Sequence, residues 1–218
     1  HKMDGEMFAL VKARPDKGLE LKKVPVPKAG YGEVLIRIRK TAICGTDLHI
    51  YNWDDWSKKN IVPPLTIGHE YVGVIAELGE GVEGLKIGQR VSGEGHITCG
   101  HCRNCRGGNA QWCKYTKGVG VNRDGAFAQY AVVNYTHLHP IPEGVSYEEA
   151  ALCEPLACAC YGIKKLDVQM GDYCAVFGPG TIGLMMTRLI RARGAGKTVV
   201  VSMCAVAASG GYFAAIGA

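Results

Sequence analysis

The sequence predicts a β-rich domain followed by a smaller α/β unit. Three observations carry this. Short β-branched runs separated by glycine and proline fill roughly the first two thirds of the chain. Helical patterning sets in near Ser146. From Tyr173 an apolar run, a glycine motif, a helical pattern and a second apolar run follow in order. The 218 residues can form one large domain or two small ones. The change of pattern places the expected boundary near 155, giving domains 1–155 and 156–218.

Each element has its own signal. Phe8–Lys12, Leu19–Val24 and Val34–Ala42 are rich in strand formers, the last alternating as VLIRIR, with Pro25, Pro27 and Gly30 to Gly32 between them. Ile67–Leu78 and Gln89–Ser92 read as further strands, and a strand pattern resumes from Gly125. Ser146-Tyr-Glu-Glu149 has the form of a capping box that opens a helix toward Leu166. Tyr173–Phe177 and Thr198–Val201 read as buried strands on either side of a helix. That helix places Ile182, Met185, Met186, Leu189 and Ile190 on one face.

Composition limits the function. At 47% hydrophobic residues the chain can build a real core, and its mean hydropathy of +0.02 suits a water-soluble protein. A net charge of +5, carried by scattered Lys and Arg, argues against a nucleic-acid surface. The opening HKMDGEMFAL lacks the layout of a signal peptide, so a reducing cytoplasm is expected. Thr198 to Ala218 carries no charge, but its TVVV start and Ser209-Gly-Gly read as a strand and a small-residue tail. No membrane span is expected there.

Ten cysteines in such a compartment point to metal. Cys99, Cys102, Cys105 and Cys113 are separated by two, two and seven residues, and four thiolates close a tetrahedral zinc shell with no open position. That is a structural zinc, in a lobe of about residues 94–116. Cys153, Cys158, Cys160, Cys174 and Cys204 read as small core hydrophobes. Cys44 differs, because Cys44-Gly-Thr-Asp-Leu-His49 sets Thr46 and His49 three apart, on one face if helical. His69-Glu70 and the acidic Glu154, inside ALCEPLACA, offer further ligands. On the residues alone, a second zinc built from Cys44, His69, Glu70 and Glu154 and a set of unrelated polar side chains both remain open.

Gly178-x-Gly180-x-x-Gly183 follows a strand and opens a helix, the context in which such glycines cradle a pyrophosphate. The acidic residue expected at the end of the next strand is absent, its place being taken by Ser202-Met203-Cys204.

The stretches KTAICGTDLHIYNWDDW, IGHEYVG, SGEGHITCGHCRNCRGG and GVGVNRDGAFAQY, in this order, resemble the zinc-dependent medium-chain alcohol dehydrogenases. The resemblance covers roughly residues 8–202. It is densest to the threonine-oxidising branch, while Cys153-Glu-Pro-Leu-Ala157 looks more like the polyol branch. It implies a GroES-like catalytic domain followed by a Rossmann domain, here truncated. It implies a catalytic zinc on Cys44, His69 and Glu70, with Glu154 as ligand or near neighbour, and a proton relay through Thr46 and His49. It also implies NAD held at Gly178, Gly180, Ile182 and Gly183, and His96 facing the substrate. A small-molecule alcohol (L-threonine or a polyol) and a homo-oligomer, tetramer or dimer, follow from the same likeness. A nucleic-acid-binding zinc finger would leave Cys44, His69 and the glycine motif unexplained. A non-catalytic, zinc-stabilised fragment is the remaining alternative, prompted by a tail, MCAVAASGGYFAAIGA, that matches nothing in the family.

Overall fold

The computed structural model describes residues 5–201, which form two compact units divided between Glu154 and Pro155. The first unit begins with β1 (Glu6–Lys12), β2 (Glu20–Pro25) and β3 (Glu33–Ala42), then two short helices, α1 (Gly45–Asn52) and α2 (Asp55–Asn60). β4 (Leu65–Thr66), β5 (Glu70–Leu78), β6 (Arg90–Gly93) and β7 (His96–Ile97) follow, then α3 (Arg103–Arg106), β8 (Lys117–Gly118), β9 (Tyr130–Asn134), β10 (Leu138–Pro140) and α4 (Tyr147–Ala150). α5 (Cys153–Leu166) leads into the second unit, which holds β11 (Tyr173–Phe177), α6 (Thr181–Ala192) and β12 (Lys197–Val201).

The strands of the first unit pair antiparallel in a five-stranded sheet ordered β10-β6-β5-β3-β9, a three-stranded sheet β2-β1-β4 and a small β7-β8 ribbon. The main core lies on the larger sheet, where Val34, Ile36, Tyr71, Ile75, Val91 and Val133 are almost fully buried. Alternation explains β1, whose Met7, Ala9 and Val11 point inward while Phe8 and Leu10 are exposed. One charged residue on the other face breaks that alternation. Lys12 is fully buried, and its Nζ donates to the carbonyls of Asp16, Gly18 (3.1 Å) and Tyr51 (3.4 Å). The same ammonium lies 5.0 Å from the centre of the Trp53 ring. Burial holds its pKa below the usual lysine value, with Asp16 opposing. These contacts tie β1 to the last turn of α1.

The second unit is a parallel pair, β11 with β12, joined by α6, as a parallel connection requires. Its core gathers Ile163, Val168, Val176 and Ile190.

Several expectations need correction. The strand expected over Ile67–Leu78 is broken, because Gly68 takes a φ of +93° and only Glu70–Leu78 continues as β5. The helix expected from Ser146 to Leu166 is two helices, α4 and α5. Its start is as expected: Ser146 Oγ accepts from Glu149 N at 3.1 Å, and the Glu149 carboxylate accepts from Ser146 N at 2.8 Å. Cys153, Cys158 and Cys160 are exposed rather than core, because the buried stripe of α5 is Pro155, Ala159 and Ile163, four residues apart. On α6 only Ile190 of the expected apolar face is fully buried, and Ile182 is 41% exposed. The expectations for the tail, including Cys204, the missing acidic residue at Ser202-Met203-Cys204 and the strand-plus-tail reading beyond Val201, lie outside the described residues. Among the described residues no helix is long and apolar enough to cross a membrane.

Two predictions follow from buried polar groups. The Tyr71 hydroxyl is buried with no hydrogen-bond partner among the described residues, and burial pushes its pKa up. Tyr71→Phe should therefore be neutral or stabilising, within about 1 kcal/mol, by denaturant unfolding. His137 is buried where its Nε2 accepts from Thr98 N at 3.2 Å, just before the cysteine lobe. Burial first, then the nearby His139, holds its pKa below the unfolded value of about 6.5. The unfolded chain then binds the extra proton, so this contribution to stability is intact above about pH 6.5 and falls as pH drops below it. Thermal melts from pH 7.5 to 5 should show a smaller loss for His137→Gln than for the unsubstituted chain.

Candidate metal and nucleotide sites

The first site forms where β3 ends and β5 begins. In their antiparallel register Ala42 faces Glu70. The chain leaving β3 therefore places Cys44, the N-cap of α1, beside the residues that enter β5. The Cys44 Sγ, a His69 ring nitrogen and a Glu70 carboxylate oxygen all lie within 4.8 Å of one another. Cys44 is half-buried, and His69 and Glu70 are 8% and 7% exposed.

Charge explains what this cluster needs. Burial pushes the Glu70 carboxyl above its usual pKa, and the Glu154 carboxylate adds to the shift. Glu154 is not in the three-ligand group, but it is close. An added Cβ on Gly95 would stand 3.3 Å from both Glu154 Oε1 and His69 Cβ. Asp47 lies behind them, 3% exposed, and its Oδ2 accepts the Cys44 N–H at 2.8 Å. Its Oδ1 and the His69 Nδ1, 3.9 Å apart, are both buried without hydrogen-bond partners among the described residues. Burial raises the Asp47 pKa, against the Cys44 N–H and the His69 charge. Two raised buried carboxylates, a third carboxylate nearby and a thiol around one imidazole make a pocket short of positive charge. A thiolate–imidazole–carboxylate donor set fits zinc and leaves a fourth position open.

Thr46 and His49 both lie on α1, which supplies the helix that a shared face requires, and Thr46 Oγ1 is 3.8 Å from Cys44 Sγ. His49 pairs through Nδ1 with Asp54, the N-cap of α2. His96 is exposed on β7, directly after the Gly95 that packs between His69 and Glu154.

The four lobe cysteines come together. Cys102 Sγ is 3.5 Å from Cys105 Sγ and 3.9 Å from Cys113 Sγ, and Cys99 and Cys105 are 4.0 Å apart. Four sulfurs about 2.3 Å from a central zinc would stand about 3.8 Å from each other, so the cluster has the right size. Backbone N–H groups of Cys99 and Tyr115 point at Cys113 Sγ and pull its pKa down to about 6. Burial, followed by hydrogen bonds from neighbouring thiols, pushes Cys105 up to about 12. Without a cation the four thiols cannot all ionise; a dication supplies the missing charge.

In the second unit Gly178 ends β11 with a φ of +96°, and a Cβ on Gly183 would overlap the Gly178 carbonyl. Gly180 caps α6 without a side-chain hydrogen bond. The first-turn N–H groups, that of Ile182 among them, therefore stand free of a side-chain cap, as an anion site needs.

Asp47 and Asp54 escaped the sequence reading. Both carried a signal. Asp47 stands three residues after Cys44 in a capping box disguised by a cysteine cap, and Asp54 is three residues before Ser57, whose N–H it accepts at 3.0 Å.

Known proteins resemble this chain in sequence and in fold. The family model described as "Alcohol dehydrogenase GroES-like domain" matches residues 30–143. An L-threonine 3-dehydrogenase of Xanthomonas campestris pv. campestris (strain B100) is 51% identical over 197 residues, covering 90% of this chain and 58% of the relative. The chain thus spans little more than half the length of the curated relatives it matches. Among solved structures, an alcohol dehydrogenase from Thermus sp. ATN1 superposes with a TM-score of 0.81 at 31% identity, over 89% of this chain and 57% of that one. The 2R,3R-butanediol dehydrogenase of Bacillus subtilis gives 0.79 at 29% identity, over 95% and 66%.

Metal analysis should separate the two clusters. Zinc bound per chain should fall from two to one in both Cys105→Ser and Cys44→Ser. Only Cys105→Ser should also lower the melting temperature substantially, because a closed structural site contributes directly to folding.

Proposed function

We propose, for a chain that belongs to the alcohol dehydrogenase GroES-like family, the oxidation of a secondary alcohol with hydride transfer to NAD. The alcohol is L-threonine and the product 2-amino-3-oxobutanoate. In this reading residues 1–155 are the catalytic domain, with the zinc lobe at about 94–116, and residues 156–218 are part of a Rossmann domain. The enzyme works in the cytoplasm as a homo-oligomer, a dimer or tetramer.

The observation that carries the proposal is the grouping of Cys44, His69 and Glu70 within 4.8 Å, an incomplete ligand shell beside the Thr46 hydroxyl. When bound, zinc supplies the Lewis acidity that lowers the pKa of an alcohol, and NAD supplies the hydride acceptor. The residues of the chain do the rest. Cys44, His69 and Glu70 hold the metal, with Glu154 as near neighbour or exchangeable ligand. Thr46 takes the alcohol proton and His49 delivers it to solvent. With the cofactor bound, one alcohol and one oxidised nicotinamide would balance against one ketone, one reduced nicotinamide and one proton. Gly178, Gly180, Ile182 and Gly183 receive the pyrophosphate through backbone N–H groups. Cys99, Cys102, Cys105 and Cys113 hold a zinc that shapes the lobe. His96 meets the substrate's charged groups.

A polyol or diol substrate is the second reading. It is favoured by the Cys153-Glu-Pro-Leu-Ala157 stretch and by the similarity to a butanediol dehydrogenase. Steady-state rates with L-threonine, sorbitol and 2,3-butanediol distinguish them. Threonine should give the highest kcat/KM, and its failure to turn over while a diol is oxidised would reverse the order. Thr46→Val and His49→Gln should each lower kcat by about 100-fold with zinc content unchanged. A non-catalytic fragment would instead show one zinc per chain and no response to NAD titration.

A further inference from the structure

α1 and α2 meet in a tight corner at Trp53, which holds a left-handed φ of 55°. The corner turns the Asp54 carboxylate both ways. Its Oδ1 accepts the Ser57 N–H at 3.0 Å and caps α2, while its Oδ2 faces Nδ1 of His49 within hydrogen-bond reach. The Trp56 ring packs on the same imidazole, with centroids 6.1 Å apart and planes tilted by 52°. The Ser57 N–H first, then His49, hold the Asp54 carboxyl below the usual carboxylate range. Asp54 is therefore an anion near neutral pH. An ionised carboxylate has no hydrogen to donate, so the hydrogen in this contact belongs to the ring. The neutral imidazole must then carry its lone pair on Nε2.

We propose that Asp54 is a positioning residue that fixes the Nδ1–H tautomer of His49 and leaves Nε2 as the nitrogen that takes up the proton of alcohol oxidation. The proposal rests on the relay described above. When Nε2 gains the proton, the ring becomes an imidazolium held against the Asp54 anion. The same Nε2 then gives the proton to water, and Asp54 stays ionised throughout. The His49 side chain is 58% exposed, so solvent reaches the ring for that last transfer. Capping alone would not require the His49 contact, because the oxygen that caps α2 is the other one.

Two kinds of substitution separate the roles. Asp54→Asn keeps a good cap through its one oxygen but turns an amide N–H, a donor, toward His49 Nδ1 in place of an acceptor. Asp54→Ser caps α2 about as well as aspartate but is too short to reach His49. The test uses the 218-residue chain labelled with nitrogen-15 in its histidine rings, the His49 signals being assigned by their loss in His49→Gln. The unsubstituted chain should show His49 protonated at Nδ1, and both Asp54→Asn and Asp54→Ser should shift it toward Nε2–H with the melting temperature kept. Asp54→Thr, another short cap, should behave as Asp54→Ser. Retention of Nδ1–H in both short-cap variants overturns the proposal.

The spectra need no substrate or cofactor, so a chain that oxidises no alcohol would count against the proposed function while the tautomer is still decided. With turnover, Asp54→Asn and Asp54→Ser should each lower kcat by about tenfold and leave KM for the alcohol nearly unchanged. A switched tautomer with unchanged kcat would overturn the role in the relay.

Discussion

The pairing of β3 with β5 is the constraint on which the rest of the first unit depends. It sets Ala42 against Glu70 at one end and Val34 against Leu78 at the other. The core residues Val34, Ile36, Tyr71 and Ile75 lie on these two strands. So do the two ends from which Cys44 and His69 emerge. Sliding the pair by one residue would turn the apolar rows outward and separate the thiol from the imidazole in the same step. Folding energy and site geometry are therefore fixed by one ladder of hydrogen bonds.

Around that ladder the first unit gathers more negative charge than its own residues neutralise. Asp47, Glu70 and Glu154 surround His69, and burial raises the pKa of the first two. The lobe repeats the theme with thiols, its sulfurs 3.5–4.0 Å apart and supported by backbone N–H groups. A closed group of four like donors and an open group of three unlike donors suit different tasks, the first holding shape and the second leaving room for a reactant. Exposed positive charge follows a different rule. Lys12 is the buried exception, with backbone carbonyls and an aromatic ring in place of a carboxylate.

How much was legible in the sequence differs by residue, for physical reasons. The lobe cysteines were readable because their ligands lie within fifteen residues, so spacing alone nearly determines their distances. The capping box at Ser146 was readable because a cap is a local interaction. Cys153, Cys158 and Cys160 misled because apolar neighbours do not show which side of a helix faces the core. The stripe Pro155, Ala159 and Ile163 does that, and only packing selects it. Asp47 was hidden because its meaning lies in what it sits behind, namely His69, twenty-two residues further along the chain.

By itself the sequence determined the main strands and the final strand–helix–strand order, the four-cysteine lobe, the glycine turn at Gly178 to Gly183 and the resemblance to a dehydrogenase family. These are local patterns, set by side-chain period, turn chemistry and ligand spacing. Tertiary structure alone decided that Cys44, His69 and Glu70 come within 4.8 Å, with Glu154 just outside the group, and that Asp54 faces His49. Those contacts need strands to register and a helical corner to turn. Both are set by long-range pairing and packing, for which no short stretch of residues carries the whole instruction.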